Sequence, residues 1–163
     1  MLLGEKAVKL LSEKKLKVAL AESCTGGLLA KKITDVPGAS KVFECGVVCY
    51  SDSIKRQLVG VRSETLERFT AVSVKTAKEM ASGIRQRFNS DIGVGITGYA
   101  SPVEGLPDDE KVIIVAVSDM SGVSVESFRP NLTGQQGARK LNRERAADLA
   151  LQMIIDLIEG DKG

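Results

Sequence analysis

The chain is expected to fold as an α/β protein, three α/β/α layers around a mixed, mostly parallel sheet of about five strands. Three observations lead there. In the first half, apolar residues at helical spacing alternate with short runs of strand formers, the pattern of helices crossing over a parallel sheet. Two later runs, 111–118 and 123–128, are separated by Asp119-Met120-Ser121-Gly122, a hairpin that puts at least one antiparallel strand into the sheet. Finally, 163 residues, 43% hydrophobic and 27% charged, fit one domain, 1–163, with a sizeable core.

Each element has its own signal. From Glu5 to Ser12, Ala7, Val8, Leu10 and Leu11 follow helical spacing, and Lys17 to Ala21 reads as a short strand. Thr25 to Thr34 reads as a helix opened by Gly26-Gly27 and closed by Val36-Pro37-Gly38, with Ser23 or Thr25 as its cap. Val42 to Tyr50 is rich in strand formers; Ser51 then caps a helix running through Leu58 and stopped by Val59-Gly60. A longer helix from Ser73 to Phe88 carries Ala77, Met80, Ala81 and Ile84 on one stripe. Strands follow at Ile92–Thr97, Lys111–Ser118 and Val123–Phe128. The last helix, Gln136 to Glu159, turns Leu141, Ala146, Leu149, Met153, Ile154 and Leu157 toward the core.

Composition narrows the function. Lys+Arg number 23 and Asp+Glu 21, and the basic residues are scattered, so no field argues for nucleic acid or a membrane as partner. Lysines at 6, 9, 14, 15 and 17 interrupt any apolar run long enough for a signal peptide or span, and a cytoplasmic location is expected. Cys24, Cys45 and Cys49 form no CxxC pair and read as free thiols of a reducing compartment. Cys45 and Cys49, four strand residues apart, are separated by roughly 13 Å, too far to share a metal. The chain has no histidine, so a nucleophile must find another base.

In a sheet of this kind ligands gather at the carboxyl ends of the strands, where three loops qualify: Glu22–Gly27, Tyr50–Lys55 and Thr97–Pro107. In the first, Ser23 sits between a strand and a glycine-opened helix whose free N–H groups could hold an oxyanion or phosphate beside the hydroxyl. The same residues serve an ordinary helix cap. In the second, Lys55 lies near a helix start, and a desolvated amine there can accept a proton; burial of Lys55 is the test. In the third, Gly93-Val94-Gly95-Ile96-Thr97-Gly98 spells the dinucleotide fingerprint, but its first two glycines fall inside a strand and Ser101-Pro102 follows, so a Rossmann site is rejected. Thr97-Gly98 instead turns its hydroxyl and N–H groups toward the crevice of Ser23. Arg139 and Arg143, four apart on a helix, share a face and could meet one phosphate.

Taken together, Ala21-Glu22-Ser23-Cys24-Thr25-Gly26-Gly27, Val36-Pro37-Gly38-Ala39-Ser40, Gly46-Val47-Val48-Cys49-Tyr50-Ser51 with Lys55, Ala71-Val72-Ser73 and Thr97-Gly98 resemble the C-terminal domain of CinA and its stand-alone form, the nicotinamide-nucleotide amidohydrolases. The resemblance implies hydrolysis of the carboxamide of nicotinamide mononucleotide to nicotinate mononucleotide and ammonia, in pyridine nucleotide salvage, without metal or cofactor. It makes Ser23 the nucleophile, Tyr50 and Lys55 the groups that activate or orient it, and Thr97 a contact at the reacting end. Thr25, Gly26, Gly27 and Gly98 would bind substrate, with Arg139 and Arg143 as the phosphate grip. It also implies a homo-oligomer.

The chain departs from the family in its third loop. Where the family reads like Thr-Gly-Ile-Ala-Gly-Pro with further glycines, this sequence has Ser101, Val103 and Glu104, side chains where a ligand would need close backbone. Asp52 replaces an Asn and Ala138 an Asp. Two readings follow: a working amidohydrolase with a remodelled substrate loop, or a catalytically weak paralogue that serves as a nucleotide-binding or oligomeric interaction protein.

Overall fold

The structure, a computed structural model, describes residues 1–160. In chain order its elements are α1 (Leu3–Lys14), β1 (Val18–Glu22), α2 (Leu28–Thr34), β2 (Phe43–Val48), α3 (Asp52–Val59), α4 (Ser63–Phe69), α5 (Val74–Arg87), β3 (Ile92–Gly98), β4 (Ile113–Ser118), β5 (Val123–Phe128) and α6 (Ala138–Gly160). The sheet runs β2-β1-β3-β4-β5. β1 pairs parallel with β2 and β3, while β4 pairs antiparallel with β3 and β5. Four strands therefore point one way and β4 the other, so the pairings divide evenly between parallel and antiparallel.

Side-chain size sets the layers. β1 reads Val18-Ala19-Leu20-Ala21 and β3 Ile92-Gly93-Val94-Gly95-Ile96, so the period of two sends large residues to one face and small ones to the other. The large face packs under α1, α2 and α6, where Leu11, Leu29, Ile33, Leu151 and Ile154 complete the main core. The small face lets α5 lie close: a Cβ on Gly93 would come within 2.1 Å of Ala81 O, and one on Gly95 within 2.5 Å of Ala77 O. Close helix packing, not a dinucleotide turn, explains these glycines.

Ser51 Oγ accepts from Ile54 N at the start of α3, and Ser73 Oγ from Thr76 N at the start of α5, as their sequences predict. Gly60, at φ 72°, closes α3 in the left-handed conformation. Two expectations need correction, and one element, α4, is not among those expected from the sequence. α2 begins at Leu28, not Thr25, because Gly26 (φ 59°) and Gly27 (φ 94°) form a left-handed turn that no helix can include. α4 has no cap side chain and only seven residues, too little for a sequence signal. Leu141 is 65% exposed, since the buried stripe of the first turns of α6 is Ala138, Asn142 and Ala146. Asn142 is buried because it ties loops together: its Nδ2 donates to Ala100 O and Asn131 O, and its Oδ1 accepts from Asn131 N.

Candidate active site

The same alternation aims the polar residues that end the strands. In β1 the large face takes Val18 and Leu20, hence also Glu22, and the small face takes Ala19 and Ala21, hence also Ser23. In β3, Ile96 faces the main core and Thr97 the other side, level with Ser23, whose N–H donates to Ile96 O at 3.0 Å. Neighbouring residues of one short segment thus reach opposite layers.

Glu22, 1% exposed, turns toward α2. Its carboxylate accepts from Gly27 N at 3.1 Å, Leu29 N at 3.1 Å and Ala30 N at 2.8 Å. The chain's own carboxylate therefore caps α2, and the free N–H groups expected at this helix start for a bound anion are already satisfied. The expected cap by Ser23 or Thr25 is corrected with it: Thr25 is fully buried and its Oγ1 has no hydrogen-bond partner among the described residues.

On the opposite face Ser23, 7% exposed, meets Lys55, 2% exposed. Lys55 Nζ lies 3.3 Å from Ser23 Oγ and donates to Tyr50 O, also at 3.3 Å. Among the described residues no carboxylate lies within ion-pair distance of this amine. α3 supplies the placement: capped by Ser51, it brings Lys55 inward in its first turn. Thr97, 1% exposed, donates from Oγ1 to Ala71 O at 2.7 Å and so ties β3 to the segment before α5. A cleft of about 160 Å³ has Ser23, Cys24, Lys55 and Thr97 in its wall, together with Tyr50, Asp52, Ala71, Val72 and Gly98. All three loops singled out from the sequence meet here, and Ala71-Val72 joins them from the far side of α4.

Tyr50 takes a different position from the one a Ser23–Tyr50–Lys55 relay requires. It is 59% exposed, and its Oη accepts from Arg139 Nη2 at 3.0 Å, while only its backbone carbonyl touches Lys55. Arg139 Nη1 also donates to Ser101 Oγ at 2.8 Å. This guanidinium thus links Tyr50, which lines the cleft, to a second cavity of about 160 Å³ lined by residues including Ser101, Asn131, Gln135 and Arg139 itself. Arg143 points elsewhere: Nε donates to Cys24 O at 3.0 Å and Nη2 to Thr25 O at 2.7 Å. Thr25, Gly26 and Gly27 do not line the cleft, and the N–H groups of Gly26 and Gly27 are taken by Ser23 O and Glu22.

Burial pushes the Cys24 thiol up to about 11, with Arg139 and Arg143 only partly offsetting it. Burial likewise pushes Cys49 up to about 11, against the pull of Lys55. Both thiols are held protonated at neutral pH, so the hydroxyl beside Lys55 is the better-placed nucleophile. A larger cavity, about 480 Å³ between α1, α2 and α6, lies away from these groups. There Lys32 is ion-paired with Glu144 at 2.8 Å and Asp148 at 2.9 Å, which leaves size as its only claim. The described residues contain no cluster of side chains suited to a metal ion and no helix long and apolar enough to cross a membrane.

Fold and site together define an α/β/α domain whose strand ends converge on a buried serine–lysine pair. The CinA C-terminal domain model matches residues 2–158, and the chain belongs to that family. It is 42% identical over 154 residues, 93% of its length, to a competence-damage inducible protein, so named provisionally, of Acetivibrio thermocellus, of which it covers 35%. It is 41% identical over 151 residues to a CinA-like protein of Chlorobium limicola, covering 92% of this chain and 35% of the relative. It thus spans about a third of the length of such relatives. Among solved structures, the competence/damage inducible protein CihA from Agrobacterium tumefaciens superposes with a TM-score of 0.86 at 34% identity, covering 95% of this chain and 94% of that one. A CinA superfamily protein from Klebsiella pneumoniae also gives 0.86, at 28% identity, covering 97% and 96%.

Proposed function

We propose that this domain is a nicotinamide-nucleotide amidohydrolase, working in the cytoplasm as a homo-oligomer in pyridine nucleotide salvage. The observation that carries the reading is the 3.3 Å approach of a buried lysine amine, unpaired by any carboxylate among the described residues, to a buried serine hydroxyl at the carboxyl ends of parallel strands. With the amine neutral, Ser23 Oγ–H gives its proton to Lys55 Nζ as the oxygen attacks the carboxamide carbon. Lys55 then returns the proton to the leaving nitrogen, ammonia departs, and an ester remains on Ser23. Water, deprotonated by the same amine, attacks the ester; Lys55 returns that proton to Ser23 Oγ as the C–O bond breaks, and the acid leaves as carboxylate with its proton passing to solvent. No histidine and no metal take part in these steps.

Ser23, Lys55 and Thr97 are buried, while Tyr50 on the same cleft is exposed. The inner cleft would take the carboxamide and ring, and Arg139, whose partners are two neutral hydroxyls, would exchange them for the stronger charge-assisted bonds of a phosphate. A second reading is a nucleotide-binding or oligomeric interaction protein with little turnover. It is favoured by the engagement of Arg139 with Tyr50 and Ser101 and by the cleft's volume, below the roughly 300 Å³ of common ligand sites. Ammonia release from nicotinamide mononucleotide, its riboside and the intact dinucleotide separates the two. Release that disappears in Ser23→Ala supports the amidohydrolase. Flat traces with saturable mononucleotide binding by calorimetry replace it with the second reading.

A further inference from the structure

The turn after Ser23 is gripped from behind. Arg143, in the second turn of α6, holds Cys24 O and Thr25 O, so both carbonyls face α6. The peptide bonds here are trans, and a trans unit sends its N–H opposite to its C=O. The Thr25 N–H, which shares a unit with Cys24 O, therefore points away from α6. Around the turn, Ser23 N–H goes to Ile96 O, Gly26 N–H to Ser23 O, Gly27 N–H to Glu22 and Leu28 N–H to Thr25 O. The N–H groups of Cys24 and Thr25 have no acceptor among the described residues, although the two residues are only 5% and 0% exposed. Buried, unpaired backbone donors are rare in folded chains; of these two, which follow directly on the hydroxyl that faces Lys55, Cys24 lines the cleft and Thr25 does not.

We infer that Arg143 is a positioning residue: by holding Thr25 O it turns the Gly26 N–H of the same peptide unit onto Ser23 O, which leaves the Cys24 N–H, opposite Ser23 O on its own unit, to bind the oxyanion formed in the cleft when Ser23 attacks. The donors expected for this task, at Gly26 or in the first turn of α2, are already spent on Ser23 O and Glu22. A planar guanidinium holds two carbonyls in fixed relation, which an ammonium, a single point of charge, does not. Gly26 fits the same purpose: at φ +59° a Cβ there would come within 3.1 Å of Arg143 Nη2. The phosphate-grip role expected for this residue is thereby assigned to Arg139 alone.

The inference shares with the proposed function only Ser23 as nucleophile, and its test does not need the pyridine substrate. Hydrolysis of p-nitrophenyl acetate, corrected by the Ser23→Ala background, is compared with ammonia release from nicotinamide mononucleotide in the wild type, Arg143→Lys and Arg143→Ala. Loss of the oxyanion donor predicts kcat falling ~100-fold or more for both substrates, with KM little changed. Added guanidinium ion should restore part of the ester rate in Arg143→Ala. A KM rise confined to the mononucleotide, with ester hydrolysis intact, overturns the inference and returns Arg143 to the phosphate. So does a folded Arg143→Lys, checked by its thermal transition, that keeps the wild-type ester rate. A wild type that cleaves the ester and not the mononucleotide removes the proposed substrate while the Arg143 comparison still stands; one inert to both removes the two together.

Discussion

The perturbation that most sharply tests the build of this site is removal of the Glu22 carboxylate. Its Oε2 accepts from Gly27 N and Leu29 N, and its Oε1 from Ala30 N. Each buried donor left unsatisfied costs about 1–3 kcal/mol, so three bound the loss in Glu22→Ala at about 3–9 kcal/mol. Gly27 and Ala30 are half-buried and water can reach them, whereas Leu29 is fully enclosed. The expected cost is therefore at the lower end, about 3–5 kcal/mol. Glu22→Gln can keep the carbonyl oxygen on the two-donor side and lose only the Ala30 bond and the charge at the helix start, about 1–3 kcal/mol. Urea unfolding followed by circular dichroism gives both values, with unchanged slope if only stability is affected. In a chain of this size the alanine variant should melt about 6–20 °C lower. Equal losses in the two variants, or losses below about 1 kcal/mol in both, would refute the assignment of Glu22 as the cap of α2.

Two further outcomes are expected. Burial pushes the Glu79 carboxyl up, but hydrogen bonds from Arg62 N, Thr65 Oγ1 and Arg62 Nε outweigh it and hold the group below the usual carboxylate range. The stability this gives is complete above the ordinary glutamate value of about 4.3 and is lost as pH falls through the lower folded value, so Glu79→Gln should flatten the acid limb of the stability–pH curve; an unchanged limb contradicts the assignment. With Cys24 and Cys49 both raised to about 11, iodoacetamide at pH 8 should modify the native chain slowly at these positions and rapidly only after unfolding. Fast native labelling of Cys24, read by peptide mass spectrometry, would contradict its protonated, enclosed state.

Much of the fold is legible where large and small residues alternate or a cap precedes a helix. β5 lies at Val123–Phe128 as its strand formers predict, and Ser51 and Ser73 mark the starts of α3 and α5. Positions decided by tertiary contact are not legible in this way. Asn142 is buried because it satisfies backbone groups of two distant loops, and that demand, absent from any local pattern, turns Leu141 outward. At the site, the sequence singles out the convergence of Ser23, Lys55 and Thr97, because strand ends and a capped helix place them. The task of Glu22 was open to reading too: strand parity sends it to the side of α2 while Ser23 goes to the other. The division between Arg139, on Tyr50 and Ser101, and Arg143, on two backbone carbonyls, depends on how α6 is rotated against the nucleophile turn, and four-residue spacing alone cannot separate them.

The central claim is that Lys55 takes the proton from Ser23, and it is tested most directly by the rate at which Ser23 becomes acylated in a single turnover of nicotinamide mononucleotide in Lys55→Met. Quenched samples analysed by mass spectrometry should carry the ester on Ser23 in the wild type, with its formation slowed ~100-fold or more in the variant. Acylation at the wild-type rate without the amine, or ammonia release with no ester ever detected at Ser23, would contradict it.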